Sequence, residues 1–160
     1  GIVLQAEGRA GTSHYFRGMA RTNAKGEFEF QAYPEQAYLV AILNDHWTAP
    51  SRVVDQLNED EPVSGLDFRL ARGTVLRGKV TKADGTVQPN ATVTLVQSAP
   101  AVGEGNAKGL VRWAQTDAEG RYQFRVSAGK YELSDPSHKQ QIPLTINSQP
   151  EVIHDFRTDQ

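Results

Sequence analysis

The side chains best suited to chemistry at neutral pH are four histidines, His14, His46, His138 and His154. Imidazole both moves protons and ligates metals. Their spacing builds neither function. No pair stands in a His-Glu-x-x-His arrangement, and the chain has no cysteine to supply a thiolate nucleophile, a disulfide or a zinc ligand. Ser13 precedes His14, but neighbours on a strand point to opposite faces, and the Gly-x-Ser-x-Gly of a nucleophile elbow is absent. Asp117-Ala118-Glu119-Gly120 can be read as a calcium loop. A second occurrence of the same turn, Asn23-Ala24-Lys25-Gly26, carries a lysine where a cation site needs acids, so turn formation accounts for both. The acidic run Asn58-Glu59-Asp60-Glu61 ahead of Pro62 reads as a solvated loop. No catalytic set, metal site or cofactor is expected.

Binding chemistry has two candidates. The irregular segment Asn44-Asp45-His46-Trp47-Thr48-Ala49-Pro50 places an indole and an imidazole side by side. Such a tryptophan stacks on a sugar or anchors a partner, or else folds over a sandwich edge to cover the core. Tyr15, Phe16 and Arg17 form the second candidate, although their aromatics can equally begin the strand that follows.

What must hold these residues is a pattern written twice. Thr22-Asn23-Ala24-Lys25-Gly26-Glu27-Phe28-Glu29-Phe30 returns as Thr116-Asp117-Ala118-Glu119-Gly120-Arg121-Tyr122-Gln123-Phe124. Each copy continues into a tyrosine strand, Ala37 to Ala41 and Lys130 to Ser134, and closes on Asp-Phe-Arg, at 67–69 and 155–157. Three landmarks in one order indicate an internal duplication. Within each copy aromatics alternate with charged residues, the period of a strand with one buried face. Asn or Asp three residues ahead of glycine is type I turn chemistry. The turn predicts hairpins pairing 17–22 with 27–30 and 110–116 with the strand from 121. Further strands are expected at 75–81 and 91–96, with closing strands near 66–71 and 151–157. Ile2-Val3-Leu4 aligns with Val93-Thr94-Leu95, so the first copy lacks a counterpart of strand 75–81. That strand is expected upstream in a longer parent protein, of which a chain starting at Gly1 is an excised piece. If it is truly missing, the first copy exposes an edge open to β-augmentation or dimerisation.

Bulk properties narrow the class. A net charge of −2 over 160 residues supplies no electrostatic reason to bind nucleic acid. No apolar run reaches the roughly 20 residues of a membrane span, so direct insertion is not expected.

The motif order Thr-[Asp/Asn]-x-x-Gly-x-[Phe/Tyr]-x-Phe, then x-Tyr-x-Leu, then Asp-Phe resembles the carboxypeptidase regulatory-like domain. It is carried over Ile2 to Leu70 and over Leu76 to Arg157, including Gly78-Lys79-Val80, Asp84-Gly85 and Gly129-Lys130-Tyr131. The usual Pro-x-Gly-x-Tyr departs in both copies. Pro34-Glu35-Gln36-Ala37-Tyr38 lacks the glycine, and Ser127 replaces the proline ahead of Gly129. The resemblance implies an all-β fold of two tandem transthyretin-like (Ig-like) β-sandwiches, residues 1–72 and 73–160, the first without its N-terminal strand. It also implies a non-catalytic, extracytoplasmic structural or interaction module, a spacer or regulatory domain of a larger bacterial protein such as a membrane-anchored regulatory peptidase. Its partners would be other domains of that parent and a protein or glycan ligand; the alternative is a carbohydrate- or peptide-binding module using the aromatics near Trp47. Enzymes on this fold hydrolyse hydroxyisourate with a His/Arg set and a tyrosine-rich C-terminus, which the ending His154-Asp155-Phe156-Arg157-Thr158-Asp159-Gln160 does not offer. Related adhesin repeats join lysine to asparagine beside a buried acid. Lys82, Asn147 and Glu132 are nominal candidates, but alternation turns Asn147 away from the core.

Overall fold

The computed structural model describes residues 1–10, 14–33, 37–54, 58, 60–98 and 110–158, with the side chains of residues 9, 10, 14–16 and 37 outside the description. Its described residues form twelve strands in three sheets and no helix. They group into two compact units, one from the described residues of 1–71 with Leu110 and one from those of 72–98 and 111–158.

The second unit is a sandwich. One sheet has the order β10 (Gln141–Ile146), β9 (Gly129–Ser134), β6 (Thr92–Gln97), β7 (Leu110–Gln115). The other is built around β5 (Thr74–Lys82). β8 (Arg121–Val126) pairs antiparallel with β5, while β11 (Glu151–Ile153) and β12 (Phe156–Thr158) pair parallel with it. Alternation delivers the inward residues of both sheets to one core. Leu76 and Val80 from β5 and Tyr122, Phe124 and Phe156 from its neighbours meet Val93, Leu95, Tyr131 and Leu133 from the facing sheet, all buried. Two local devices fix this unit. The Thr116 hydroxyl donates to Gln88 O at 2.5 Å and accepts from Ala91 N at 2.8 Å. The Tyr131 hydroxyl donates to the Ser127 carbonyl at 2.9 Å, tying β9 to the corner before it.

The described residues of the first unit form one sheet, β2 (His14–Arg21), β1 (Val3–Ala10), β3 (Ala37–Leu43), β4 (Arg52–Val54), all antiparallel. Aligned through the repeated motifs, its order matches β7-β6-β9-β10 of the second unit. The local bonds match as well. Ile2 N donates to Thr22 Oγ1 at 2.8 Å, and Tyr38 donates to the Tyr33 carbonyl at 2.9 Å. These bonds correct the alignment by two residues. Ile2 is the counterpart of Ala91, and the buried pair Leu4 and Ala6 that of Val93 and Leu95. A two-residue shift preserves strand parity, so hydrophobic alternation alone could not distinguish the two registers.

Two further expectations are corrected. The Asn23 and Asp117 turns do not make hairpins, since β2 pairs with β1 and β8 pairs with β5. After one closing bond, Asp117 N to Arg121 O at 2.9 Å, the chain crosses from one sheet to the other. Residues 27–30 and 66–70 form no strand. Phe28, Phe30, Leu66 and Phe68 nevertheless pack, half-buried, on the core of Leu4, Ala6, Tyr38, Val40 and Ile42. Their counterparts in the second unit are strands only because β5 lies beside them to accept their hydrogen bonds.

Candidate functional site

The aromatic loop after β3 is held by one side chain. Asn44 Oδ1 accepts from His46 N and Trp47 N, each at 2.9 Å, which turns the chain so that Thr48 pairs with Ala71 and Ala49 enters the core. Trp47 is left 37% exposed and His46 lies at the surface.

Arg17, on β2, donates to Glu7 at 2.9 Å; Glu7 is itself only 7% exposed and also accepts from Gln5. This guanidinium is therefore engaged in neutralising a buried carboxylate. Tyr15 and Phe16 belong to β2 by their backbone, and their side chains lie outside the described residues. The register separates the two candidate surfaces. Val3 pairs with Leu43, at the end leading to the tryptophan loop, whereas Arg9 pairs with Tyr15 at the other end of the sheet. The backbone of Tyr15 and Phe16 thus lies at the opposite end of the sheet from the loop that carries His46 and Trp47.

Among the described residues the histidine side chains do not converge either. His46 and His138 are exposed, and His154 packs its ring edge-on to Phe156 at 4.9 Å. His14 has its side chain, and Ser13 the whole residue, outside the described residues. Among the described residues no group of three or more histidines and carboxylates could hold a metal ion. Lys82, Glu132 and Asn147 are all exposed, so Glu132 is not a buried acid beside the Lys82–Asn147 pair.

In the second unit an open cleft of about 640 Å³ is lined by Lys82, Thr86, Gln88, Pro136, Ser137 and Lys139, among others. One wall is set by Asp135, fully buried, which accepts from Ser137 N at 3.2 Å, from the Ser137 hydroxyl and from Gln140 N at 2.8 Å. Burial alone would raise its pKa. The Ser137 and Gln140 hydrogen bonds outweigh it and hold the carboxyl below its ordinary value. Asp135 is thus a structural anion. Tyr122 is pushed well above its normal pKa by burial and, to a smaller extent, by the Asp155 charge, and it donates to the His154 carbonyl at 2.7 Å. Neither group is poised for proton transfer near neutrality.

Two exposed aromatics, Tyr33 at 63% and Trp113, were not singled out by residue type and spacing. Trp113, on β7 at the edge of its sheet, is 54% exposed. The signal lay in the alternation Leu110, Arg112, Ala114 against Val111, Trp113, Gln115, which turns the indole outward.

A β-sandwich whose recurrent polar side chains cap turns and tie strand starts is the class that the fold of the second unit defines. Residues 75–152, within the second unit, match the family described as the carboxypeptidase regulatory-like domain. No curated protein sequence matches the chain. Among solved structures it is similar to a streptococcal ancillary pilin (14% identity, TM-score 0.39), covering 99% of this chain and 62% of that one. It is also similar to the Bacillus anthracis TIE protein (18% identity, TM-score 0.38), covering 98% of this chain and 30% of that one. The shaft pilin spaA from Lactobacillus rhamnosus GG shares 11% identity at a TM-score of 0.36, with coverage of 100% and 88%. The chain thus spans less than two thirds of the first two of these.

Proposed function

We propose that the chain is a duplicated pair of transthyretin-like sandwiches, residues 1–72 and 73–160, acting as a non-catalytic structural or interaction module outside the cytoplasm within a larger bacterial protein. The observation that carries this reading is where the polar side chains go. In both units the recurrent Asn/Asp, Thr and Tyr groups bond to backbone. Asn23 and Asp117 cap equivalent turns, Thr22 and Thr116 tie equivalent strand starts, and Tyr38 and Tyr131 tie equivalent corners. Groups committed to shape are not free for turnover. The test is an assay of the purified chain against esters, peptides and glycosides. No turnover is expected, and hydrolysis lost in His46→Ala would overturn the proposal.

The exposure of Trp47 favours a second reading, a module that binds a glycan or peptide at this loop. A thermal-shift screen over glycans and peptides tests it, because a ligand for the folded state raises the midpoint with the logarithm of its concentration over Kd. The shift should vanish in Trp47→Ala with the fold retained; an undiminished shift rejects this site.

A further inference from the structure

In the second unit, the repeated Asp-Phe-Arg clasps β5. Asp155 Oδ1 accepts from Lys79 N at 2.8 Å, Arg157 donates to the carbonyl of Ala83 just past the strand, and Phe156, 1% exposed, lies beneath. Tyr122 from β8 reaches under β5 towards Phe156, with ring centroids 6.1 Å apart. Gly78 opens the way: a Cβ there would lie 2.9 Å from the Tyr122 ring.

The first unit keeps the Asp-Phe-Arg and the aromatic floor of this device without the strand, Phe28 standing where Tyr122 does and lacking its hydroxyl. Asp67-Phe68-Arg69 is present, and Phe28 stands 6.0 Å from Phe68 and 5.7 Å from Phe30, against 6.1 Å and 6.0 Å for their counterparts. The aromatic floor is thus spaced as it is where a strand runs over it. Coverage is what differs. Phe28, Phe30 and Phe68 are half-buried, whereas Tyr122, Phe124 and Phe156 are 3%, 4% and 1% exposed. Among the described residues, the backbone groups of 28–32 and 68–70 make no hydrogen bond to one another or to any strand, and the Asp67 carboxylate accepts none. Unpaired backbone flanking an apolar floor is a strand-acceptor site.

We propose that this slot receives an extended strand with the chemistry of β5, joined ahead of β1 in the same polypeptide. The apolar residues of that strand alternate, and a small residue crosses Phe28. It pairs antiparallel with 28–32 and parallel with 68–70, and Asp67 and Arg69 take the roles of Asp155 and Arg157. The order β5, turn, β6 in the second unit argues for this source, since β1 is the counterpart of β6. The proposal rests on the duplication stated above. It adds that the first unit is completed by a strand from outside its own fold.

The test joins a copy of residues 73–90 directly ahead of Ile2 in the full chain. Slowed amide exchange is expected at 28–32 and 68–70, with a midpoint rise of roughly 5 °C or more for the first unit. Asp67→Ala and Arg69→Ala should remove part of that gain while leaving the original chain unchanged. A control strand slipped by one residue, which turns its apolar side outward, should give none. Exchange unchanged by the fusion, or equal protection from the slipped control, would overturn the slot while leaving the non-catalytic reading intact. Insertion of the same peptide only when added free, or a dimer of the original chain with 28–32 already protected, would overturn the source.

Discussion

Gly78→Ala is the most demanding test of the packing described for the second unit. A Cβ at this position would lie 1.6 Å from the carbonyl oxygen of His154 and 2.6 Å from its carbon, as well as 2.9 Å from the Tyr122 ring. Because the obstruction is backbone, no rotamer relieves it. The carbonyl must retreat by more than about 1 Å before ordinary contact is restored. That carbonyl is held at both ends: it accepts from Tyr122 at 2.7 Å, and His154 N donates to Arg77 O at 2.9 Å. Retreat breaks the Tyr122 bond and leaves a buried phenol without a partner, about 1–3 kcal/mol. Separation of Phe156 and Tyr122 from β5 adds about 1–3 kcal/mol of mispacking. The expected loss is about 3–5 kcal/mol, or a fall in Tm of roughly 15–25 °C for a unit of this size. The chain's two tryptophans fall one in each unit, Trp47 in the first and Trp113 in the second. Denaturant unfolding followed by fluorescence in a Trp47→Phe background therefore reports the second unit alone. Gly129→Ala is the control, its nearest foreign atom being a Tyr131 carbon at 3.4 Å; it should stay within about 1 kcal/mol of wild type. A Gly78→Ala protein within about 1 kcal/mol of wild type would refute the close approach of β5 to the β11–β12 connection.

The remaining predictions concern single polar contacts. Asp135 has its folded-state pKa depressed, so its contribution is present above the unfolded carboxylate pKa and is lost as pH falls through the folded one. Asp135→Asn should be less stable by about 2 kcal/mol near neutral pH. That gap should narrow on acidification below about pH 4; urea midpoints from pH 3 to pH 7 giving a constant difference would reject the assignment. Tyr131→Phe removes the bond to the Ser127 carbonyl and should lower stability by about 1 kcal/mol in denaturant titrations without changing the far-UV spectrum. Arg17→Ala leaves the buried Glu7 carboxylate without its cation and should cost about 1–2 kcal/mol in the first unit. Recovery in the double variant with Glu7→Gln is expected, and its absence would mean that the arginine stem, not its charge, matters.

Much of the second unit was legible because its local signals agree with its global fold. Thr116, the Asp117 turn, the alternation of Tyr122 and Phe124, and Tyr131 all name strands that the tertiary structure then pairs. The turn misled on one point: glycine at its last position, Gly26 or Gly120, reverses the chain whether the next strand returns to its neighbour or crosses to the opposite sheet. Candidate surfaces were less readable. Trp47 and Arg17 were singled out by residue type, but nothing local told that Arg17 neutralises the buried Glu7, or that the outward-facing Trp113 is more exposed than Trp47.

The sequence by itself determined the repeated motif order, the all-β class and the lack of any thiolate, because these follow from periodicity, turn chemistry and composition, which are local properties of the chain. Only the tertiary structure decided which segments are strands. Glu27-Phe28-Glu29-Phe30 and Arg121-Tyr122-Gln123-Phe124 carry the same alternation, yet only the second belongs to a sheet. A strand is defined by the partner that accepts its hydrogen bonds, and for this pattern the partner is β5, which lies beside one copy and not the other.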